Sequence, residues 1–254
     1  MTNTDFKDRT VVVTGSSQGI GAAIARAFAS AGARVVVHYR SSKDSADALV
    51  AEMNADGGTA IALSARLDHA DEVEQLFSQV VQEHGSIDVL INNAGIFPNA
   101  SLLDMSLNEW QRMYADNVES TFLCTKIAAL AMKPAGGGAI VNISSISGLN
   151  PGPDHSNYNS AKAAVIMFTR SAAQELGQYN IRVNAVAPGL VDRPGLGEHW
   201  PDGVKRFRDA APLSCLVQPQ DIANACVFLA SDNAARISGV TLPVDSGVLS
   251  AAIY

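Results

Sequence analysis

Apolar positions along the chain fall into short, nearly unbroken runs separated by longer stretches in which they recur every three or four residues. The runs at 10–14, 34–39, 59–63, 87–91, 139–144, 181–187 and 240–244 are rich in β-branched residues and read as seven strands. Helix-period stretches lie between them at about 20–31, 44–56, 71–84, 107–132, 157–178 and 219–231. Strands that are apolar at almost every position must be covered on both faces, which is the pattern of a parallel sheet with helices above and below it. The expected fold is therefore one α/β domain over residues 1–254: a doubly wound, Rossmann-type, seven-stranded parallel sheet.

One region breaks the alternation. Residues 188–219 hold Pro188, Gly189, Pro194, Gly195, Gly197, Pro201, Gly203, Pro212 and Pro219 around a short helix candidate at 201–211. A long interruption after a strand's C-terminal end is where such folds place ligands, so a substrate lid is expected at about 189–218.

Composition narrows the partners. Of the 254 residues 47% are hydrophobic, which supplies a sizeable core, and the formal charge of −7 without a block of like charges argues against nucleic acid or an anionic membrane surface. Cys124, Cys215 and Cys226 are odd in number and far apart, which suits small core residues and neither a disulfide framework nor a metal site. Residues 1–9 lack the apolar core of a signal peptide and no apolar run reaches membrane-spanning length, so the expected compartment is the cytoplasm.

Two places carry chemistry. Thr14-Gly15-Ser16-Ser17-Gln18-Gly19-Ile20-Gly21 follows the first strand and opens an alanine-rich helix. Glycines there permit a tight turn, and the helix's first N–H groups attract a pyrophosphate. At the end of the second strand, His38-Tyr39-Arg40-Ser41-Ser42 offers a guanidinium and hydroxyls and no acid before Asp44, which favours NADP over NAD; the alternative for Arg40 is a solvated surface residue.

The second place is Ser145, Tyr158 and Lys162. Tyr and Lys four apart share a helix face, yet Tyr39 and Lys43 repeat that spacing, so context decides. Here the context is a serine thirteen positions upstream that closes an apolar run. Such a trio would place a proton donor, its activating ammonium and an orienting hydroxyl around one reacting oxygen. Lowering a phenol from ~10 to near 7 takes roughly 4 kcal/mol of phenolate stabilisation, and Lys162 together with an oxidised nicotinamide has the required sign.

The glycine loop, Asn92-Asn93-Ala94-Gly95, Asn117, Ser145, Tyr158-Asn159-Ser160-Ala161-Lys162 and Pro188-Gly189 together resemble the classical short-chain dehydrogenases/reductases, in the same order and over nearly the whole chain. The resemblance implies that Gly15, Ser17, Gln18, Gly19, Ile20, Gly21, Tyr39, Arg40, Ser41, Asp68, Asn93, Ala94, Gly95, Tyr158, Lys162, Pro188, Gly189 and Val191 hold the dinucleotide. By the same likeness Asp68 touches the adenine, Asn92 steadies the central strand and lines the cleft, and Asn117 kinks its helix to hold a water in a proton relay. A catalytic set of Asn117, Ser145, Tyr158 and Lys162 follows, with Ser145, Ser147, His155 and Tyr158 facing substrate. Local readings stand beside these: Asn92-Asn93 as a polar strand end, Asp68 as a helix cap, Asn117 as a solvent-facing helix residue and His155 as an exposed loop residue.

One position departs from the family pattern. Four residues past Gly189, where many members carry a Thr that meets the cofactor, stands Arg193, able to pair with a phosphate, a substrate carboxylate or solvent. Phe97, Trp200 and Phe207 would give the pocket apolar surface suited to a compact carbonyl. The reading is thus hydride transfer between NADP(H), or NAD(H), and a small secondary alcohol or ketone. The alternatives are reduction of 3-oxoacyl groups on acyl carrier protein, against which a single Lys133 before the fifth strand and Gln174 count while Lys205, Arg206 and Arg208 favour it, and dinucleotide sensing without chemistry. The two apolar stretches at 107–132 and 157–178 would, by resemblance, pack in a homotetramer.

Overall fold

The computed structural model describes residues 5–251, so the first four residues of the polar N-terminal segment lie outside it. Seven strands form one parallel sheet: β1 (Thr10–Val13), β2 (Arg34–Tyr39), β3 (Thr59–Ser64), β4 (Val89–Asn92), β5 (Gly138–Ile143), β6 (Ile181–Pro188) and β7 (Thr241–Val244). Their order is β3-β2-β1-β4-β5-β6-β7, with every neighbouring pair parallel. Chain direction across the sheet reverses between β1 and β4, and ligands bind at such a switch point beyond the strand ends.

Strand residues alternate between two cores, as a side-chain period of two requires. Val11 and Val13 of β1, Val35 and Val37 of β2 and Val141 of β5 pack on one side against helices α1 (Gly19–Ser30), α2 (Lys43–Ala55) and α9 (Pro219–Ala230), through Ile24, Phe28, Leu49, Met53 and Ile222. Val12, Val36, Leu90, Ile140 and Val183 face the other layer, formed by α3 (Ala70–His84), α5 (Ser120–Met132) and α6 (Ser156–Leu176), through Phe77, Met132 and Ala172. Cys124 and Cys226 are fully buried in these layers, where desolvation pushes the Cys124 thiol up to about 12, whereas Cys215 is exposed.

The helix expected over 107–132 is two helices. α4 (Leu107–Tyr114) and α5 are joined by a π-helical turn, Ala115–Glu119. Its extra residue lets the Asn117 side chain turn inward, where Nδ2 donates to Met113 O at 3.0 Å, so the buried amide and not solvent sets the bend.

After β6 the 189–218 segment carries two short helices, α7 (Leu196–His199) and α8 (Pro201–Ala210). Leu196, Val204 and Leu216 form its own small apolar cluster, with Leu190 and Phe207 against it. A bridge between Val191 and Val217 brings its ends together. Among the described residues no helix is long and apolar enough to cross a membrane.

Candidate active site

The glycine loop is built for close approach. Gly15 and Gly19 have φ near +60°, which L side chains rarely adopt, and a Cβ on Gly21 would come within 2.5 Å of Gly15 O. A Cβ on Gly15 would meet Ala94 Cα at 2.9 Å, so the loop lies directly on the β4 exit. Gln18, the residue before α1, makes no side-chain cap and the first turn carries no acid, which leaves the leading amides of α1 for an anion. This cradle fits a dinucleotide pyrophosphate.

A set of buried hydrogen bonds holds the loop in shape. Thr14 Oγ1 accepts from the backbone N–H groups of Asn93 and Ala94, each at 3.0 Å, and Asn93 Nδ2 donates to Thr14 O and Gly15 O, each at 2.9 Å. His38, a residue the sequence reading passed over, accepts from Gly15 N at 3.0 Å through Nδ1. Its Nε2–H therefore donates to Ala65 O, also at 3.0 Å, which ties the loop to the β3 exit. Its signal in the sequence was a lone imidazole after three valines, just before the positions expected to meet the ribose. Burial pushes His38 down from 6.5 to about 4, with the bond to Ala65 opposing and Arg40 adding to the fall.

Two outcomes follow from His38. Because the unfolded chain binds a proton that the folded ring resists, stability is expected to fall as pH drops from 6.5 towards 4, a slope that His38→Ala removes. The same substitution orphans Gly15 N–H and Ala65 O, so thermal unfolding should occur at lower temperature and calorimetric affinity for dinucleotide should weaken by about tenfold.

Beyond the ends of β2 and β3 lies a cavity of about 640 Å³, lined by Arg40, Arg66, Asp68, Asn108 and Asp116 among others. Arg40 Nη1 lies 3.3 Å from Asp116 Oδ1, and Arg66 Nη2 lies 2.7 Å from Asp68 Oδ2, the latter contact holding the Asp68 carboxyl below its usual range. Asp68 does not cap α3, whose cap position is His69. Arg66 went unnoticed in the sequence; its signal was an Arg two residues before the expected adenine contact. Tyr39 is half-buried at the end of β2, with Arg40 and Ser41 exposed after it.

The reacting groups converge near the β5 exit. Ser145 starts a tight turn, Ile146–Gly148, and its Oγ accepts from Ser147 N at 3.0 Å. The turn lies flat on α6 because Gly148 has no side chain: a Cβ there would stand 2.7 Å from Lys162 C. Ser144 Oγ donates to Lys162 O at 2.9 Å from the same strand end. On α6, Lys162 Nζ donates to Ile143 O at 3.0 Å and stands 5.6 Å from the Tyr158 ring centre. Burial pushes Lys162 down to about 8. Burial also raises Tyr158 above 10, against an opposing hydrogen bond with Ser145.

Asn117 sits behind Gly95. Its Nδ2 also donates to Ile96 O at 3.0 Å, while its buried Oδ1 has no donor. A Cβ on Gly95 would strike that Oδ1 and approach Lys162 Nζ at 3.6 Å, so Asn117 and Lys162 border the same small space. Asn92 donates to Thr125 Oγ1 and Asn142 Oδ1, and Asn142 to Thr169 Oγ1, a buried ladder that ties β4 and β5 to α5 and α6. On the open side of Tyr158, His155 and Phe97 pack edge-on to its ring with centres 6.1 and 6.4 Å away. Pro188 ends β6, Gly189 N donates to Val244 O, and Val191 pairs with Val217, which starts the 189–218 segment beside β7. Trp200 lies under Arg206 within the 189–218 segment and Phe207 packs against that segment's apolar cluster, so of the three expected pocket aromatics only Phe97 is in contact with the tyrosine.

The pattern of fold, loop and trio has counterparts. Residues 15–249 match the family described as enoyl-(acyl carrier protein) reductase. The chain belongs to the short-chain dehydrogenase/reductase family. It is 43% identical over 239 residues to a 3-oxoacyl-[acyl-carrier-protein] reductase of Synechocystis sp., covering 94% of this chain and 96% of that one. It is 42% identical to an L-rhamnose 1-dehydrogenase (NAD(P)(+)) of Azotobacter vinelandii, covering 95% and 96%. A 7α-hydroxysteroid dehydrogenase solved with NADH and 7-oxoglycochenodeoxycholic acid superposes with a TM-score of 0.92 at 35% identity, covering 96% of each chain. This chain is thus an oxidoreductase of that family.

Proposed function

We propose that this oxidoreductase reduces the 3-oxo group of acyl thioesters carried on acyl carrier protein, with NADP(H) as the nucleotide. The observation that carries the chemistry is the convergence of Ser145, Tyr158 and Lys162 beside an open phosphate cradle. The 43% identity to a 3-oxoacyl-[acyl-carrier-protein] reductase over nearly the whole chain supports the substrate.

Gly15, Ser17, Gln18, Gly19, Ile20 and Gly21 would hold the pyrophosphate; Tyr39, Arg40, Ser41 and Asp68 the adenosine end; Asn93, Ala94, Gly95, Tyr158, Lys162, Pro188, Gly189 and Val191 the nicotinamide half. When bound, the reduced nicotinamide supplies the hydride. Ser145 donates to the substrate oxygen and holds it against Tyr158, which gives up its phenolic proton to that oxygen. Lys162, above the ring, steadies the phenolate left behind, and its border with Asn117 Oδ1 favours a route for reprotonation through that space. The 189–218 segment acts as the substrate lid, with Ser147 and His155 on the opposite wall.

Arg40 and Arg66 favour a 2′-phosphate in the adenosine cavity, in exchange for the carboxylates that face them now. Arg40→Ala is expected to raise the KM for NADPH by about 10- to 100-fold while that for NADH moves little, measured by initial rates.

A second reading, a dehydrogenase of small secondary alcohols or sugars, is favoured by the rhamnose dehydrogenase relative. The deciding experiment compares NADPH-dependent reduction of 3-oxoacyl carrier protein with the same acyl group on pantetheine, and NADP-dependent oxidation of sugars and cyclic alcohols. Carrier-bound substrate preferred about tenfold or more supports the first reading; turnover of sugars or cyclic alcohols alone overturns it. Exposed Phe122, Leu130 and Met167 on α5 and α6 support a homotetramer, and a cytoplasmic setting suits the three thiols.

A further inference from the structure

Arg193 is an exposed residue that stands one aromatic ring away from the Tyr158 phenol. Its guanidinium carbon lies 5.5 Å from the centre of the Phe97 ring, and that ring packs edge-on against Tyr158. The arginine is thus one ring's width from the proton donor. Its backbone is pinned from both directions, with Arg193 N donating to Asp192 Oδ1 at 2.9 Å and Leu196 N to Arg193 O at 3.1 Å.

The charge is unbalanced. No ion pair among the described residues engages Arg193, although the chain as a whole carries −7. Its neighbour Asp192 is turned to the backbone N–H of residue 193 and towards Gln218. By contrast Arg40, Arg66 and Arg112, around the adenosine cavity, all face carboxylates. A guanidinium stacked on an aromatic ring keeps its N–H edges free for a planar anion. Across the pocket, His155 Nδ1 donates to Pro153 O at 2.7 Å, which leaves Nε2 of the neutral ring as an acceptor near Tyr158.

The pyrophosphate already has its amide cradle at α1, and Arg193 lies over the Phe97 ring that packs against the phenol. We propose that Arg193 is a specificity-determining residue that binds an anionic oxygen group of the substrate other than the reacting carbonyl. The proposal rests on the reading of Tyr158 as the proton donor. Two sources share the required chemistry: the carboxylate of a free oxo acid, and the phosphate of a carrier's pantetheine arm.

The test uses purified full-length enzyme with saturating NADPH and two substrate pairs: a 3-oxo acid against its methyl ester, and a 3-oxoacyl thioester of 4′-phosphopantetheine against that of pantetheine. In one pair the charged member should be preferred by about tenfold or more in kcat/KM, and that pair identifies the source. Arg193→Ala should bring the ratio close to one through a rise in KM for the charged member, and Arg193→Lys should restore part of it. Equal use of charged and neutral members by the wild type, or a preference that survives Arg193→Ala, overturns the proposal. So does a rise in KM for NADPH exceeding that for the charged substrate, which would assign the arginine to the nucleotide. If no member of either pair is reduced, the proposed reaction has failed; calorimetric binding of the oxo acid to the NADP-loaded wild type and Arg193→Ala then decides the anion site separately, loss of binding in the variant upholding it and equal or absent binding overturning it.

Discussion

Replacing Tyr158 by Phe is expected to lower kcat by about 10²- to 10⁴-fold, the range that a positioned general acid contributes, while affinity for the dinucleotide survives. The ring would still pack against Phe97 and His155, and Lys162 would still donate to Ile143 O, so the fold around the site has no reason to change. Only the phenolic proton is lost. Initial rates together with a calorimetric titration of NADPH check both halves, and near wild-type turnover in the purified variant would sink the assignment of Tyr158 as proton donor.

Lys162→Ala should harm more than one property. Its ammonium is the cation the protein itself places beside Tyr158, and it also borders the Gly95 and Asn117 space at the nicotinamide end. Both turnover and dinucleotide affinity should fall, kcat by about 10²-fold or more. The pH profile sharpens the expectation. Burial holds Lys162 near 8, so the side chain is charged below that pH and neutral above it. For reduction, kcat/KM in the free enzyme should be level between pH 6 and 7 and fall above about 8, as the charge that stabilises the phenolate is lost. Lys162→Arg, charged throughout, should abolish that inflection even if its absolute rate is low. An inflection near 8 that persists in Lys162→Arg would assign it to another group.

The fold was legible because β1, β2 and β4 to β6 are apolar at nearly every position, a pattern that only a sheet covered on both faces demands. The glycine loop and the Ser145, Tyr158, Lys162 spacing were legible for a related reason: each rests on contacts local in sequence. What escaped depends on contacts between segments far apart. The π-helical turn at Ala115–Glu119 has no compositional mark, since an added residue per turn leaves apolar spacing almost intact, and only the family resemblance, which implied a kink at Asn117, pointed to it. His38 looks like a stray polar residue until β1, β2 and β3 stand side by side, and Arg66 gains meaning only when β3 and α4 close a cavity over Arg40. The cost of removing water from the Tyr158 phenol has no mark in the spacing and becomes legible only in the folded chain.

The bridge between Val191 and Val217 has a consequence for how this protein can diversify. An excursion whose two ends meet beside β7, and whose apolar residues satisfy one another, asks little of the sheet beneath it. Its sequence can drift, lengthen or be exchanged while the proton donor and phosphate cradle keep their places, so new molecules can be accepted without rebuilding the machinery that reduces them.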